Sequence, residues 1–237
     1  MPITFVSAFL DLSEDRKGLR TRDMYISHFK QIADTGINIH LFLNQASRCV
    51  YDIFALYSNI YIEWIELDVL KSFTVGSLPT LRNIEKDTVN YLIIMNAKPE
   101  FVYRAIQRNV FEGNSYYWID FGIFHVIKNE ESQQYLKDIS SKEISNLIIP
   151  GCIQLNNDYF NQITWRFCGG VFAGDKDSLV TFYKTITREY DTIVREKGLT
   201  WEVNLWAYLE SEGKINPVWV HADHNDTILR IPVEYLL

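Results

Sequence analysis

The sequence predicts an α/β domain with a mainly parallel sheet and helices on both faces. Short apolar, β-rich runs alternate with segments of helical period from the start of the chain, and Tyr116 to Phe124 is an almost unbroken apolar run, the mark of a strand covered on both sides. Nothing along the chain reads as a linker, an internal repeat or a low-complexity tract, so residues 1–237 are expected to form a single domain.

The elements follow in order. Ile3 to Leu10 is the first strand, and the charged stretch Asp11 to Arg22 with Gly18 is a loop. Thr21 or Asp23 can cap a helix from Met24 to about Thr35, where Tyr25, Phe29, Ile32 and Ala33 recur on one face and Gly36 follows the end. Ile37 to Leu43 is a second strand, Ile53 to Tyr57 a helical stretch, and Ile60 to Leu67 a third strand. Asp87 to Ala97 has helical period, and Pro99 suits the first position of another helix running to about Val110. Tyr116 to Phe124 is the strongest strand. Ile163 to Ala173 is a further strand broken by Gly169-Gly170, Leu179 to Glu196 a long amphipathic helix, Trp201 to Leu209 a shorter one, and Val218 to Val220 a last strand.

Composition narrows the function. The chain has 47% hydrophobic and 22% charged residues, and 23 basic against 30 acidic side chains give a net charge of −7. Broad contact with nucleic acid or anionic lipid is therefore disfavoured. No apolar run reaches the roughly 18 residues of a membrane span, and no basic segment precedes the first strand as a secretory signal would require. Cys49, Cys152 and Cys168 form no CxxC pair, which argues against a zinc ribbon or a disulfide framework and for a reducing, cytoplasmic setting.

Four segments carry chemistry. Asp120 lies at the end of an apolar central strand, where open α/β sheets bind ligands. Asp120-Phe121-Gly122 spells a kinase metal triplet, but no glycine-rich loop, strand lysine or HRD loop accompanies it. Gly169 to Lys176 mimics a phosphate loop, yet Asp175 precedes the lysine and no Ser or Thr follows, so close backbone approach explains the glycines better. His221, Asp223, His224 and Asp226 crowd metal-binding side chains into six residues after the last strand. Glu202 and Asn204 open a predicted helix, where an acid also complements the helix dipole.

Five segments, Phe5 to Phe9 with Arg20 and Arg22, Met95-Asn96-Ala97-Lys98-Pro99, Trp118 to Ile123, Leu199 to Asn204, and Ala222 to Ile228, span essentially the whole chain. Taken together they resemble the HtrL/YibB-type family of bacterial and viral proteins, itself similar to GT-A glycosyltransferases. The resemblance implies a GT-A-like, Rossmann-like sheet with a nucleotide-binding half at about 1–125 and an acceptor half at about 126–237. It also implies transfer of a sugar from a nucleotide-diphosphate donor, expected to be a UDP-sugar, to a glycan or other hydroxyl acceptor. Ala8 and Phe9 would line the base pocket, with Arg20, Arg22, Lys98 and Asn204 as further donor contacts. Asp120 corresponds to a DxD position that binds Mn²⁺ or Mg²⁺, but Phe121 and Gly122 follow it and the second acid is missing. His221, Asp223 or His224 would complete the metal ligands. Glu202 would act as base in an inverting enzyme, or stabilise the sugar cation in a retaining one. Two rivals stand beside this: a non-catalytic glycan- or protein-binding module, and a sugar nucleotidyltransferase, whose glycine-rich signature is absent from Ser7 to Leu19.

Overall fold

In the computed structural model, which describes residues 2–12, 20–127, 130–153 and 158–237, one seven-stranded sheet runs through the molecule in the order β3-β2-β1-β4-β6-β5-β7. The strands are β1 (Ile3–Phe9), β2 (Ile39–Leu43), β3 (Ile60–Trp64), β4 (Ser115–Ile119), β5 (Ile148–Gly151), β6 (Val171–Asp175) and β7 (Val218–His221). Every pairing is parallel except those of β6, which runs against both β4 and β5. The expected mainly parallel sheet is present, and β4 joins the strands of the two sequence halves into it.

The helices are α1 (Arg22–Ala33), α2 (Arg48–Phe54), α3 (Val89–Asn96), α4 (Lys98–Arg108), α5 (Glu130–Ile139), α6 (Lys176–Lys197) and α7 (Glu202–Ser211). They cover both faces because the strands are apolar on both. In β4, Tyr116 and Trp118 pack into one cluster with Phe101, Phe172 and Trp206, while Tyr117 and Ile119 pack into another with Phe29, Phe5 and Leu41. Successive strand side chains point to opposite faces, so one five-residue strand serves two cores. Of the two expected caps Thr21 is the one used, accepting from the Met24 amide at 3.3 Å, while Asp23 lies in the first turn of a helix that starts two residues before the expected Met24. Gly36 follows with φ +79, in the region that favours glycine.

Several boundaries move. α2 starts five residues before the expected Ile53, behind a 3-10 turn at Gln45–Ser47. β3 ends at Trp64 and β4 at Ile119, so Phe121 to Phe124 leaves the sheet as a turn and 3-10 helix. Only the last part of Ile163 to Ala173 is strand. Before Val171 its backbone serves other elements: Trp165 O takes the amides of Cys152 and Ile153 at 3.0 Å, and the Thr164 amide goes to Asn204 at 2.7 Å. Helix α5 and strand β5 carry no expectation from the sequence. Pro150 and Gly151 argue against a strand, but β5 pairs with β6 only at Ile148↔Ala173, so the missing Pro150 amide breaks no ladder there. Part of the Asp11 to Arg22 loop, residues 13–19 with Gly18, lies outside the described residues. No helix among the described residues is long and apolar enough to cross a membrane.

His40 in β2 makes stability depend on pH. Its ring is buried and its Nε2 donates to Glu63 Oε2 at 3.2 Å. Burial pulls its pKa below the ordinary value, outweighing the attraction of Glu63. The unfolded chain then takes up the proton first, so the contribution of His40 is complete above about pH 6.5 and is lost as pH falls from there towards the folded pKa. The urea midpoint is expected to drop between about pH 7 and pH 5, and to drop less in His40→Gln. An equal drop in the variant would remove His40 as the cause.

Candidate functional site

The parallel strands β1 to β4, β5 and β7 all deliver their C-terminal ends to one edge of the sheet. The chain goes from β1 outward to β2 and β3, then returns to place β4 on the other side of β1, so a topological switch point lies between β1 and β4. Ligands of open α/β sheets bind at such a point, where loops diverge and leave a crevice. Phe9 ends one of these strands and Asp120 follows the other.

A buried cation organises the β4 side. Lys98 opens α4, and its Nζ donates to Asp120 at 2.9 Å from Oδ1, to Glu202 Oε1 at 2.8 Å and to the Gly169 carbonyl at 2.8 Å. The side chains are 2% exposed for Lys98, 8% for Glu202 and 32% for Asp120, so Asp120 alone reaches the crevice. Burial lowers the Lys98 pKa, but the two carboxylates together outweigh it and the net displacement is upward. The Trp118 indole donates to Asp120 Oδ1 at 2.7 Å, and the Asp120 amide donates to Gly170 O at 2.9 Å. The glycines have a steric reason: a Cβ on Gly169 would run into the Glu202 carboxylate, and one on Gly170 would lie 2.7 Å from Ile123 Cδ1.

The other expected residues fall in three places. Ala8 and Phe9 lie half-buried at the end of β1, where the Phe9 ring packs on Phe121 at 4.7 Å and on Tyr25 at 5.7 Å. Arg22 is tied to Asp11 through Nη2 at 2.5 Å, while Arg20 is exposed beside Tyr25. His221 ends β7 and Asp223 lies just past it, 64% and 72% exposed and 3.9 Å apart.

Three expectations are corrected by this geometry. Lys98 spends its donors inside the protein, so it orders Asp120 and Glu202 rather than reaching a phosphate. Glu202 is buried against that ammonium and acts as its counter-charge, not as a base open to an acceptor. Asn204 is wholly buried, with Oδ1 accepting from the Thr164 amide and hydroxyl at 2.7 and 2.9 Å and Nδ2 donating to Tyr159 O and Gln162 O at 2.9 and 2.7 Å. It ties segment 159–164 to α7.

The residues present do not fit a DxD-type metal. Both Asp120 oxygens already lie against the Lys98 ammonium, one of them also against Trp118. Among the described residues, no three His, Cys, Asp or Glu side chains converge as a metal-holding group. Imidazoles lie near the site instead. His125 stands 6.4 Å between ring centroids from both His28 and His224, and His224 is 5.8 Å from the Trp165 ring. Desolvation, with the charges of Arg20 and His224, holds the His125 pKa below its ordinary value against the pull of the Gly122 carbonyl and Asp120. Sequence reasoning missed His28, His125 and Trp165, because no local spacing links residues from α1, the turn after β4 and the stretch before β6.

The HtrL_YibB family, described as a bacterial protein of unknown function, matches residues 50–203. The chain belongs to this family. The matched stretch contains Lys98, Asp120, Gly169 and Glu202, the whole of the buried charge cluster. No curated protein matches the chain. Among solved structures it is similar to Rv0371c from Mycobacterium tuberculosis, at 12% identity and TM-score 0.43 over 94% of this chain and 88% of that one. It is similar to a 4-diphosphocytidyl-2C-methyl-D-erythritol synthase from Anaerococcus prevotii, at 13% identity and TM-score 0.44 over 95% and 90%. The apo form of mouse xyloside xylosyltransferase 1 is similar at 10% identity and TM-score 0.44, over 93% and 85%.

Proposed function

We propose that the chain is a glycosyltransferase that takes a nucleotide-diphosphate sugar, with UDP as the first nucleotide to test, and transfers the sugar to a glycan or other hydroxyl. The observation that carries this is Asp120, a partly open carboxylate held in one orientation by Lys98 and Trp118 at the switch point between β1 and β4. The half-buried rings of Phe9 and Tyr25, backed by the buried Phe121, form an apolar surface that suits a flat base. Arg20 with His125 and His224 supplies cationic and hydrogen-bonding groups for a diphosphate. Asp120 then accepts hydrogen bonds from hydroxyls of the sugar or the acceptor, and its fixed orientation supplies preorganisation. No step in this proposal runs through a metal ion, because the ligand set does not fit one.

Calorimetry with UDP and GDP, with and without Mn²⁺, tests the proposal. One nucleotide is expected to bind with little change on adding Mn²⁺, and Arg20→Ala is expected to weaken it roughly tenfold, the loss of about one exposed charge-assisted contact. Asp120→Asn is expected to keep that affinity and to lower sugar transfer by roughly 10²-fold, the scale of a lost positioning contact. Binding of neither nucleotide would end the transferase proposal, and glycan affinity without nucleotide affinity would replace it with a binding module.

A further inference from the structure

Two thiols that the Lys98 cluster does not use meet at its border. Cys152 follows the end of β5, Cys168 precedes the Gly169-Gly170 turn into β6, and their Sγ atoms lie 3.2 Å apart. The backbone imposes this contact. The Cys168 amide donates to Pro150 O at 2.7 Å, and the amides of Cys152 and Ile153 donate to Trp165 O at 3.0 Å, so the two segments are laced together on both sides of the sulfurs. Both thiols are free, with Cys152 half-buried and Cys168 buried. A disulfide holds its sulfurs about 2.0 Å apart, so closing this pair needs a shift of only about 1 Å.

We propose that Cys152 and Cys168 form a reversible thiol–disulfide site that takes a low-molecular-weight disulfide as oxidant and clamps the turn carrying Gly169. Cys152, the more accessible, loses its proton and attacks one sulfur of the oxidant, which leaves a mixed disulfide and releases one small thiol. Cys168 then loses its proton and attacks Cys152 Sγ, expelling the second small thiol. Two protein thiols are oxidised, one small disulfide is reduced to two thiols, and both protons end on those thiols. Burial raises the Cys168 pKa and slows the second step, so the mixed disulfide on Cys152 is a transient intermediate that decays to the bridge.

The consequence reaches the candidate site through two bonds. The turn after Cys168 supplies the Gly169 carbonyl to Lys98 and the Gly170 carbonyl to the Asp120 amide. A bridge fastens that turn to the end of β5, and a cross-link between residues 16 apart is expected to restrict the unfolded chain as well. The pair is invisible as a motif, because the two cysteines are not in CxxC spacing.

The test incubates the full chain with glutathione disulfide, blocks remaining thiols with iodoacetamide and maps peptides by mass spectrometry. A Cys152–Cys168 cross-linked peptide that dithiothreitol removes is expected, together with a rise in thermal midpoint on the order of 5 °C. Cys168→Ala is expected to stop at glutathione on Cys152, and Cys152→Ser to show neither bridge nor midpoint rise. Cys49→Ser is expected to form the bridge like the parent. Recovery of both Cys152 and Cys168 as alkylated peptides, or a mixed disulfide on Cys152 that persists in the parent chain, would overturn the proposal. So would a bridge that leaves the midpoint unchanged. None of these readouts involves a nucleotide, so they stand or fall apart from the transferase proposal.

Discussion

Replacing Lys98 with methionine is expected to cost the protein about 3–5 kcal/mol of stability, the usual result of removing one member of a buried ion pair. Methionine keeps most of the side chain's volume and its fit against the surrounding core, so the loss is almost purely one of charge and hydrogen bonds. Three acceptors lose the ammonium at once: Glu202, the Gly169 carbonyl, and Asp120, which keeps only the Trp118 indole as a side-chain donor. Glu202, at 8% exposure, cannot turn to water for compensation. Urea unfolding of Lys98→Met against the parent measures the cost, and the double variant with Glu202→Gln is expected to recover part of it, since it removes the stranded charge. A loss below about 1 kcal/mol would mean that the cluster is solvated and that Lys98 does not organise it.

Asn204→Asp is expected to be nearly as costly, about 3 kcal/mol or more, although the two side chains have almost the same shape. The amide nitrogen donates to Tyr159 O and Gln162 O. An aspartate oxygen in its place would face two carbonyls with no proton to share, in a position with no exposure. Unsatisfied buried groups cost about 1–3 kcal/mol each, and a buried charge more. Thermal or urea unfolding reads the effect, and Asn204→Asp with parental stability would show that segment 159–164 is not held by this side chain.

How far each feature could be read from the sequence depends on where its causes lie. Thr21 and Gly36 bracket α1 within a few residues of it, and cap and terminator act on their own helix. The two-faced apolarity of β4 likewise shows in its own five residues. Helix α5 and strand β5 were less legible. Pro150 and Gly151 oppose the strand locally, and it forms because β6 and β7 flank it. The place of Asp120 was legible, because a carboxylate that ends an apolar run stands out in the sequence. The roles of Glu202, Asn204 and Lys98 were not, because a helix-opening acid, amide or lysine has the same local pattern whether it faces a ligand or the core.

The sequence by itself determined the alternation of strands and helices, the switch-point carboxylate and the family, since each is written in periodicity or in contiguous residues. Tertiary structure alone decided the chemistry around that carboxylate. Lys98 meets Asp120 across 22 residues, Gly169 across 71 and Glu202 across 104, and Cys152 meets Cys168 only because β6 runs back against β5 and β4. Side chains so far apart in the chain have no common local signal. Their pairing is set by which strand lies beside which, and by a reversed β6 that brings the Gly169-Gly170 turn to the same sheet edge as Asp120.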